Sequence, residues 1–390
     1  MHEFFPGSYM WSLATMRTLG CGGLVGEIAR PVAALHDAAA RADRDAWYAA
    51  WRDLGDHLWQ QGEAEQADDH PHSARESLLR ACMYYQTAIC FMDHADSRRA
   101  GTHQQSIAAF ERLAALSEPP IERVEVPYEG SSFPAWFVPA PDAARPAPAV
   151  IFLAGLDATK EQGLAFARAL AARGFSTLLP DGPGVGEAVF FRGLVNRHDY
   201  EVPGRADFDY LASRPDVDTM RIAAVGISMG GYRAPRFAAF EPRLAACVAW
   251  GAVWDWGARW ARRGAGTSGN AVNMPGHVLF VMGARTPDEV AERARDWRLD
   301  GVVQQVRCPL LVVHGEKDLQ VPLAEAYQVY EAAGSPQKEL KVFTEAEGGA
   351  AHTQIDNRPL AHAYIVDWLD DVLVRGRRRE GTIVGTERQR

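Results

Sequence analysis

Two patterns of hydrophobic residues divide the chain near a proline pair at positions 119–120. From about residue 33 to residue 116, apolar side chains such as Trp47 and Trp51 recur at helical spacing among Ala, Leu, Arg, Glu and Gln. Since prolines interrupt such a pattern, we predict a helical N-terminal cap domain over residues 1–120.

After the proline pair, short apolar runs alternate with helical stretches. This alternation is typical of an α/β protein with a mostly parallel sheet. The predicted strands are 124–128, 135–138, 149–153, 176–179, 222–226, 246–250, 310–313 and 340–343. Predicted helices begin near Lys160, Gly204, Gly230, Leu323 and Pro359. We therefore expect an eight-stranded sheet within a second domain over residues 121–375, followed by a flexible polar tail at 376–390.

The connection between the sixth and seventh predicted strands is unusually long, covering about residues 254–303. Its part from Pro287 to Leu299 has a helical pattern. Long insertions of this kind usually shape a binding site. We interpret the segment as a lid.

Composition narrows the function classes. The chain has 390 residues, of which 47% are hydrophobic and 23% are charged, enough for a large core. A net charge of -9 argues against nucleic acid as a partner, because phosphate binding needs a concentrated basic surface. We expect neither a secretory signal nor a membrane-spanning run. The five cysteines lack metal-ligand spacing, and their odd number suggests no disulfide framework, so we expect a reducing cytoplasm.

A Gly-x-Ser-x-Gly motif follows the fifth predicted strand and precedes a helical stretch. The motif is Gly226-Ile227-Ser228-Met229-Gly230. This is the sequence form of a nucleophile elbow, in which glycines permit a strained turn that exposes one hydroxyl above the sheet. Ser228 is the predicted nucleophile.

A serine nucleophile needs a base and an acid that orients the base. In sheets of this kind the chain order is Ser, acid, His. Asp318 follows the seventh strand and is the predicted acid, with Glu316 as its alternative. His352 follows the last strand in a glycine-containing loop and is the predicted base, whereas His314 lies at a strand end.

A tetrahedral intermediate also needs two backbone amides that bind its oxyanion. We assign these to Met229 and to Leu156, in the loop after the third strand, where Gly155 permits a close approach. Asp157 lies beside this position. It either binds a polar substrate group or donates a proton, or it is a solvated carboxylate that caps the next helix.

Three aromatic residues are candidates for substrate binding. Trp254 and Trp256 follow the sixth strand, where they line a pocket under the lid or pack in the core. Tyr84 closes the pocket from the helical domain or packs between helices. The glycine-rich segment 181–187 has the wrong spacing for a dinucleotide fingerprint. We expect no cofactor and no metal.

Four features together indicate a resemblance to a known family. They are the elbow, the segment Gly155-Leu156-Asp157-Ala158-Thr159-Lys160-Glu161, the loop around Asp318 and the helical N-terminal region. The chain resembles α/β-hydrolases of the 2,6-dihydroxypseudooxynicotine hydrolase type, a group that includes fermentation-respiration switch-like proteins and fungal pigment hydrolases that shorten polyketides. The resemblance implies an α/β-hydrolase fold with N-terminal helices that cover the site. It implies aryl ketone or polyketide substrates, carbon-carbon cleavage beside a carbonyl in some members, and frequent homodimers.

The leading hypothesis is a serine hydrolase of a small aromatic or polyketide-like carbonyl compound, acting at a carbon-carbon bond next to a ketone. A carboxylesterase or thioesterase is the first alternative, because the same residues hydrolyse esters more easily. A peptidase is a weaker one. A non-catalytic regulatory or scaffold protein with a hydrolase fold is the alternative from a different class. The expected partner is a small-molecule substrate, and we expect the protein to bind neither nucleic acid nor a membrane.

Overall fold

A computed structural model describes residues 1–141, 146–263, 275–376 and 383–384 of the chain. The described residues form two compact units, with the boundary between Arg123 and Val124. Residues 275–280, later in the chain, also group with the first unit. The cap domain predicted over residues 1–120 ends close to this boundary.

The first unit is helical. Of its described residues up to position 120, none forms a strand. Two of its helices begin at an aspartate whose carboxylate accepts a backbone N–H, from Ala46 to Asp43 at 3.0 Å and from Arg98 to Asp96 at 2.9 Å. The helices are α1 (Tyr9–Gly20), α2 (Val25–Ala34), α3 (His36–Ala40), α4 (Arg44–Ala67), α5 (Pro71–Ile89) and α6 (Ser97–Ala115).

An aromatic cluster forms the core at one end of this helical unit. Trp47 is fully buried and its ring lies 4.6 Å from Trp11, 5.4 Å from Trp51 and 4.9 Å from Phe91, measured between centroids. Its indole Nε1 donates to the carbonyl of Thr87 at 2.7 Å. The cluster therefore buries a large apolar area with its polar group satisfied.

The second unit contains a twisted, mostly parallel sheet, as predicted. Its strands are β1 (Glu122–Tyr128), β2 (Ser131–Val138), β3 (Ala147–Leu153), β4 (Ser176–Pro180), β5 (Val217–Ile227), β6 (Ala246–Trp250), β7 (Leu310–Gly315), β8 (Lys338–Phe343) and β9 (Ile383–Val384). They lie in the order β1-β2-β4-β3-β5-β6-β7-β8-β9. Strand β2 is antiparallel to β4, and the pairs from β4 through β9 are parallel.

Helices on the second unit are α7 (Leu164–Ala171), α8 (Gly186–Phe190), α9 (Glu201–Ala212), α10 (Gly230–Phe240), α11 (Trp256–Arg263), α13 (Pro287–Arg293), α14 (Leu323–Ala332) and α15 (Arg358–Leu373). Helix α12 (Pro275–Val281) groups with the first unit except for its last residue. Strands β3, β4, β6 and β7 are buried along their whole length. Parallel strands covered on both faces are apolar throughout, which explains why they were visible as continuous apolar runs.

Helix α8 and strand β9 are two of the short elements that were not predicted from the sequence. Helix α8 follows the glycine-rich segment after β4, and β9 pairs with β8 through the partners Leu340 and Ile383. The second lies in the segment that we predicted to be a flexible tail. A two-residue strand has no periodic signal, so only its pairing with a distant strand defines it.

The central strands place four connections at one edge of the sheet. Because β3, β5, β7 and β8 are parallel, the loops that follow them meet at their carboxyl ends, where open α/β sheets bind ligands.

Among the described helices of the chain, none combines the length and apolar character needed to cross a bilayer.

We predict that Trp47→Ala will lower the free energy of unfolding by about 3–5 kcal/mol, because it leaves a large cavity and removes the indole hydrogen bond to the Thr87 carbonyl. Urea unfolding followed by circular dichroism measures the change. Trp59→Ala is the matched control, since Trp59 is half-buried and packs under Arg112 with 5.0 Å from the guanidinium carbon to the ring centroid. We expect a loss of about 1 kcal/mol there, and equal losses in the two variants would contradict the assigned core.

Candidate active site

Ser228 occupies a strained turn between β5 and α10. Its φ angle is +58°, in the left-handed region that residues with a Cβ rarely adopt. Its backbone N–H donates to the carbonyl of Trp250 on the neighbouring strand at 2.7 Å, and its carbonyl accepts from Gly231 at 2.7 Å. The turn is therefore held from both sides, and the serine stands at the strand end.

The two glycines of the motif are required by close backbone approach. A Cβ on Gly226 would lie 1.9 Å from the carbonyl oxygen of Gly230, and a Cβ on Gly230 would lie 2.2 Å from the carbonyl oxygen of Leu153. Neither position has room for a methyl group. The sequence pattern thus reflects packing of β5, α10 and the end of β3 against one another.

The structure brings Ser228, His352 and Asp318 together. His352 Nε2 lies 2.9 Å from Ser228 Oγ, and His352 Nδ1 lies 2.6 Å from Asp318 Oδ2. Since the carboxylate accepts, we assign the ring hydrogen to Nδ1, which leaves Nε2 to accept from the serine hydroxyl. This is the relay geometry that activates a serine.

Asp318 is fixed by its own loop. Its Oδ1 accepts from the backbone N–H groups of Gln320 at 2.7 Å and Val321 at 2.9 Å, which leaves Oδ2 for His352. Burial of the side chain would raise the pKa of Asp318, but the attraction and hydrogen bond of His352 outweigh burial and hold that pKa below its usual value. The carboxylate therefore stays ionised at neutral pH.

Two residues near Asp318 have other partners. Glu316, the alternative acid, is exposed and accepts from the backbone N–H of Glu345 at 3.0 Å. His314 is fully buried, and burial lowers its pKa, so the ring is neutral. Its Nε2 donates to the carbonyl of Val321 at 2.9 Å and lies 3.5 Å from Asp318 Oδ2. His314 thus supports the loop that carries the carboxylate.

The loop that carries His352 is attached to the end of β7. The N–H of Glu316 donates to Phe343, and that of Lys317 donates to Ala350, both at 2.9 Å. Just after His352, the amide oxygen of Gln354 accepts from the buried indole Nε1 of Trp250 at 2.7 Å. These contacts hold the backbone before and after His352, and so they fix the position of its imidazole.

The loop after β3 lies against the serine. A Cβ on Gly155 would lie 3.3 Å from Ser228 Cβ and 3.7 Å from its Oγ. Leu156 and Met229, the two predicted amide donors, directly follow Gly155 and Ser228 in the chain. Leu156 is half-buried and Asp157 is exposed. The roles of Leu156, Met229 and Asp157 stay predictions.

Sequence reasoning missed a buried arginine beneath this loop. Arg233 on α10 is fully buried, and its Nη1 donates to the carbonyl of Ala154 at 3.0 Å. The available signal was an arginine five residues after Ser228, in the helix that follows the elbow. A charged residue on the buried face of a helix usually has a specific partner.

A buried ionic cluster follows the same loop. The ammonium of Lys160 pairs with Glu161 at 2.8 Å, with Asp181 at 3.0 Å and with Glu187. Burial raises the pKa of Asp181 to about 6, although Lys160 opposes the shift. Asp181 also accepts from the N–H groups of Lys160 at 2.8 Å and Glu187 at 2.9 Å. The glycine-rich segment 181–187 therefore folds around the side-chain carboxylate of its own Asp181.

The insertion after β6 is tied to the loop of Asp318. The N–H of Trp254 donates to Glu325 at 2.8 Å, and Glu325 pairs with Arg259 at 3.3 Å. Arg259 also donates to the carbonyl of Gln320 at 2.9 Å. Sequence reasoning missed Arg259 and Glu325 because they lie 61 to 71 positions along the chain from these partners.

The predicted substrate-binding aromatics have separate environments. Trp254 is half-buried, whereas Trp256 is buried in a cluster with Trp260 and Trp297 at centroid distances of 5.9 and 5.5 Å. Tyr84 is fully buried in the helical unit, where its hydroxyl donates to Glu27 and accepts from the N–H of Leu24. These contacts describe packing, and substrate binding by the three residues stays a prediction.

Comparison with known proteins gives a consistent family. A family model described as Esterase FrsA-like matches residues 30–368. The chain is 32% identical over 346 residues to a 2,6-dihydropseudooxynicotine hydrolase of Paenarthrobacter nicotinovorans, with 87% of this chain and 88% of that protein covered. It is 28% identical to the 20-hydroxy-prefusarin hydrolase FUS2 of Gibberella moniliformis (strain M3125 / FGSC 7600), with 95% and 98% covered.

A solved structure has the same architecture. The crystal structure of a 2,6-dihydroxy-pseudo-oxynicotine hydrolase superposes with a TM-score of 0.81 at 28% identity, covering 96% of this chain and 99% of that chain. The match covers nearly the whole of both chains, so it includes the helical N-terminal region as well as the sheet.

We predict that Gly230→Ala will lower the free energy of unfolding by at least about 2 kcal/mol, because the new methyl meets the Leu153 carbonyl at 2.2 Å. Urea denaturation measures the effect. Gly101→Ala in α6 is the control, since a Cβ there has nothing within 4 Å and should stabilise the helix slightly. A Gly230→Ala variant as stable as the parent would contradict the described elbow.

Proposed function

The chain belongs to the FrsA-like esterase family of α/β-hydrolases and is a hydrolase; from this premise we propose that it is a serine hydrolase of a small aromatic or polyketide-like carbonyl compound. The observation that carries the proposal is the relay from Ser228 Oγ through His352 to Asp318, with distances of 2.9 and 2.6 Å. We propose that the bond cleaved is a carbon-carbon bond next to a ketone.

In the first step, His352 Nε2 takes the hydroxyl proton as Ser228 Oγ attacks the substrate carbonyl. The resulting imidazolium is stabilised by the ionised Asp318 at Nδ1. Because the carboxylate is already oriented by the amides of Gln320 and Val321, little reorganisation is needed as the charge develops.

The oxyanion that forms on the carbonyl is assigned to the amides of Met229 and Leu156. Met229 directly follows the nucleophile, and Leu156 follows Gly155, which lies against Ser228. In other enzymes, loss of one oxyanion donor lowers kcat by about 10²–10³-fold.

In the second step, the tetrahedral intermediate collapses and the carbon-carbon bond breaks, with its electron pair leaving on the departing carbon. That carbon must be next to an electron-accepting group, such as a second carbonyl or a hydroxyaryl ring. The proton held on His352 Nε2 neutralises it. Water, deprotonated by His352, then attacks the acyl ester on Ser228 and releases a carboxylic acid.

The choice of substrate class is supported by two relatives. The protein from Paenarthrobacter nicotinovorans is named for a pseudooxynicotine, and the protein from Gibberella moniliformis is named for a prefusarin. Similarity over 87% and 95% of this chain supports a related carbonyl substrate.

Ester hydrolysis is the second candidate function, and the family description favours it directly. The same relay and the same oxyanion amides serve it, with an alkoxide in place of a carbanion as the leaving group. An alkoxide leaves more easily than a carbanion, so an ester needs no electron-accepting group next to the leaving atom. The two functions therefore require different substrates but the same residues of the protein.

We further propose that the enzyme acts in the cytoplasm as a homodimer on a small molecule, without nucleic acid, a membrane, a cofactor or a metal. None of the five cysteines, all of which lie in the described part of the chain, forms a disulfide, which supports a reducing compartment. The dimer follows from the resemblance stated above, which implies frequent homodimers.

We predict that a fluorophosphonate will label Ser228 in the folded protein and that Ser228→Ala will abolish both labelling and turnover, because no other group replaces the nucleophile. A panel of aryl ketones, β-diketones and aryl esters, with product masses measured, identifies the bond cleaved. Cleavage of a ketone to an acid supports the carbon-carbon function.

Ester turnover with no ketone cleavage would select the esterase. Absence of label in folded wild-type protein would favour a non-catalytic scaffold. Ser213→Ala is the control variant, because Ser213 is exposed and its hydroxyl donates to the nearby Tyr210 carbonyl at 2.7 Å.

We predict that Asp318→Asn will lower kcat by about 10³–10⁴-fold. Since Gln320 and Val321 donate to Oδ1, the amide oxygen stays there and the new NH2 group faces His352 Nδ1. The ring hydrogen then moves to Nε2, which can no longer accept from Ser228. Steady-state kinetics with p-nitrophenyl butyrate measure the loss, and Glu316→Gln in the same loop should keep kcat within about twofold. A larger loss in Glu316→Gln would reverse the assignment of the acid.

A further inference from the structure

We propose that Arg233 is a positioning residue for the oxyanion loop, acting through the carbonyl of Ala154 on the amide of Leu156. The inference rests on the proposed serine hydrolase function. It concerns a residue that neither touches the substrate nor belongs to the relay.

The first argument is geometric. Ala154 is the first residue after β3, and Gly155 and Leu156 follow it directly. Arg233 Nη1 donates to the Ala154 carbonyl at 3.0 Å. This bond fixes the plane of the peptide that joins Ala154 to Gly155, and the next peptide carries the Leu156 amide. Rotation of the first plane would re-aim the amide.

The second argument concerns the helix that carries the arginine. Helix α10 begins at Gly230, directly after the elbow, and Gly230 packs against the carbonyl of Leu153, with 2.2 Å to its hypothetical Cβ. Arg233 binds the carbonyl of Ala154, the next residue along the chain and the first of the loop. One helix therefore fixes both the nucleophile turn and the loop opposite it, so the distance between the serine and the Leu156 amide depends on α10.

The third argument is energetic. Arg233 is fully buried, and among the residues that the structure describes it makes no ion pair and its Nε has no partner. Its other contacts are the amide oxygen of Asn196 at 2.9 Å and the face of Tyr200, with 4.8 Å from the guanidinium carbon to the ring centroid. An unpaired buried cation is expensive, and an apolar side chain would be more stable there. A role at the adjacent site explains why the position holds arginine.

The test compares Arg233→Met and Arg233→Lys with Arg236→Met in the same helix. Arg236, about one helical turn further along α10, pairs with Glu201 at the start of α9 at 2.6 Å. The readouts are kcat and KM for p-nitrophenyl butyrate, the rate of phosphonylation of Ser228 by a fluorophosphonate, and the melting temperature.

For Arg233→Met we expect kcat and the phosphonylation rate to fall about 10–100-fold, while KM changes less than about threefold, because the lost interaction acts on the tetrahedral state. Arg233→Lys should recover part of the loss, since an ammonium can still donate one hydrogen bond. Arg236→Met should keep wild-type rates. Wild-type kcat in Arg233→Met, or in a folded Arg233→Lys if the first variant does not fold, would overturn the proposal.

A double-mutant cycle tests whether the effect passes through Leu156. Leu156→Pro removes the amide hydrogen, so in that background Arg233→Met should cost less than about threefold further. Full additivity of the two losses would overturn the proposal. Failure of the proposed serine hydrolase function would give a different result. In that case the fluorophosphonate would not label Ser228 even in the wild-type protein, whatever residue stands at position 233.

Discussion

The site depends on one steric constraint, the closure of the turn between β5 and α10. Ser228 adopts a φ angle of +58°, and neither Gly226 nor Gly230 has room for a Cβ. The strain is maintained because backbone hydrogen bonds to β6 and within α10 hold the turn. A serine in ordinary strand or helix geometry would not stand clear of the sheet end. The loops after β3, β7 and β8, which carry Leu156, Asp318 and His352, then extend to the position of Ser228.

Those three loops are rigid for different reasons. The loop of Asp318 closes on itself, since the carboxylate accepts two of its own backbone amides. The loop of His352 is bonded to the end of β7. The loop of Leu156 is held by α10 and is followed by Lys160, whose buried ammonium pairs with three carboxylates. Buried polar groups with complete hydrogen bonding fix geometry at a cost in stability that a large core offsets.

Much of the fold, and the proximity of Ser228, Asp318 and His352, could be predicted from the sequence. Strands buried on both faces appear as apolar runs, and the Gly-x-Ser-x-Gly motif limits where a nucleophile can lie. Asp318 and His352 followed from chain order, because parallel strands bring the residues after them to one edge. The sequence favoured Asp318 over Glu316 as the acid. The structure gives a physical reason, because the amides of Gln320 and Val321 hold the Asp318 carboxylate with its other oxygen at His352.

The sequence by itself determined the alternation of strands and helices, the position of the elbow and the order of the reacting groups, because each is encoded by residues within a few positions of one another. Only the tertiary structure decided the partners of Arg233, the pairing of β9 and the burial of Trp256. The bond from Arg233 to Ala154 joins residues 79 positions apart. Such contacts arise from the packing of whole elements, so no local pattern carries a signal for them.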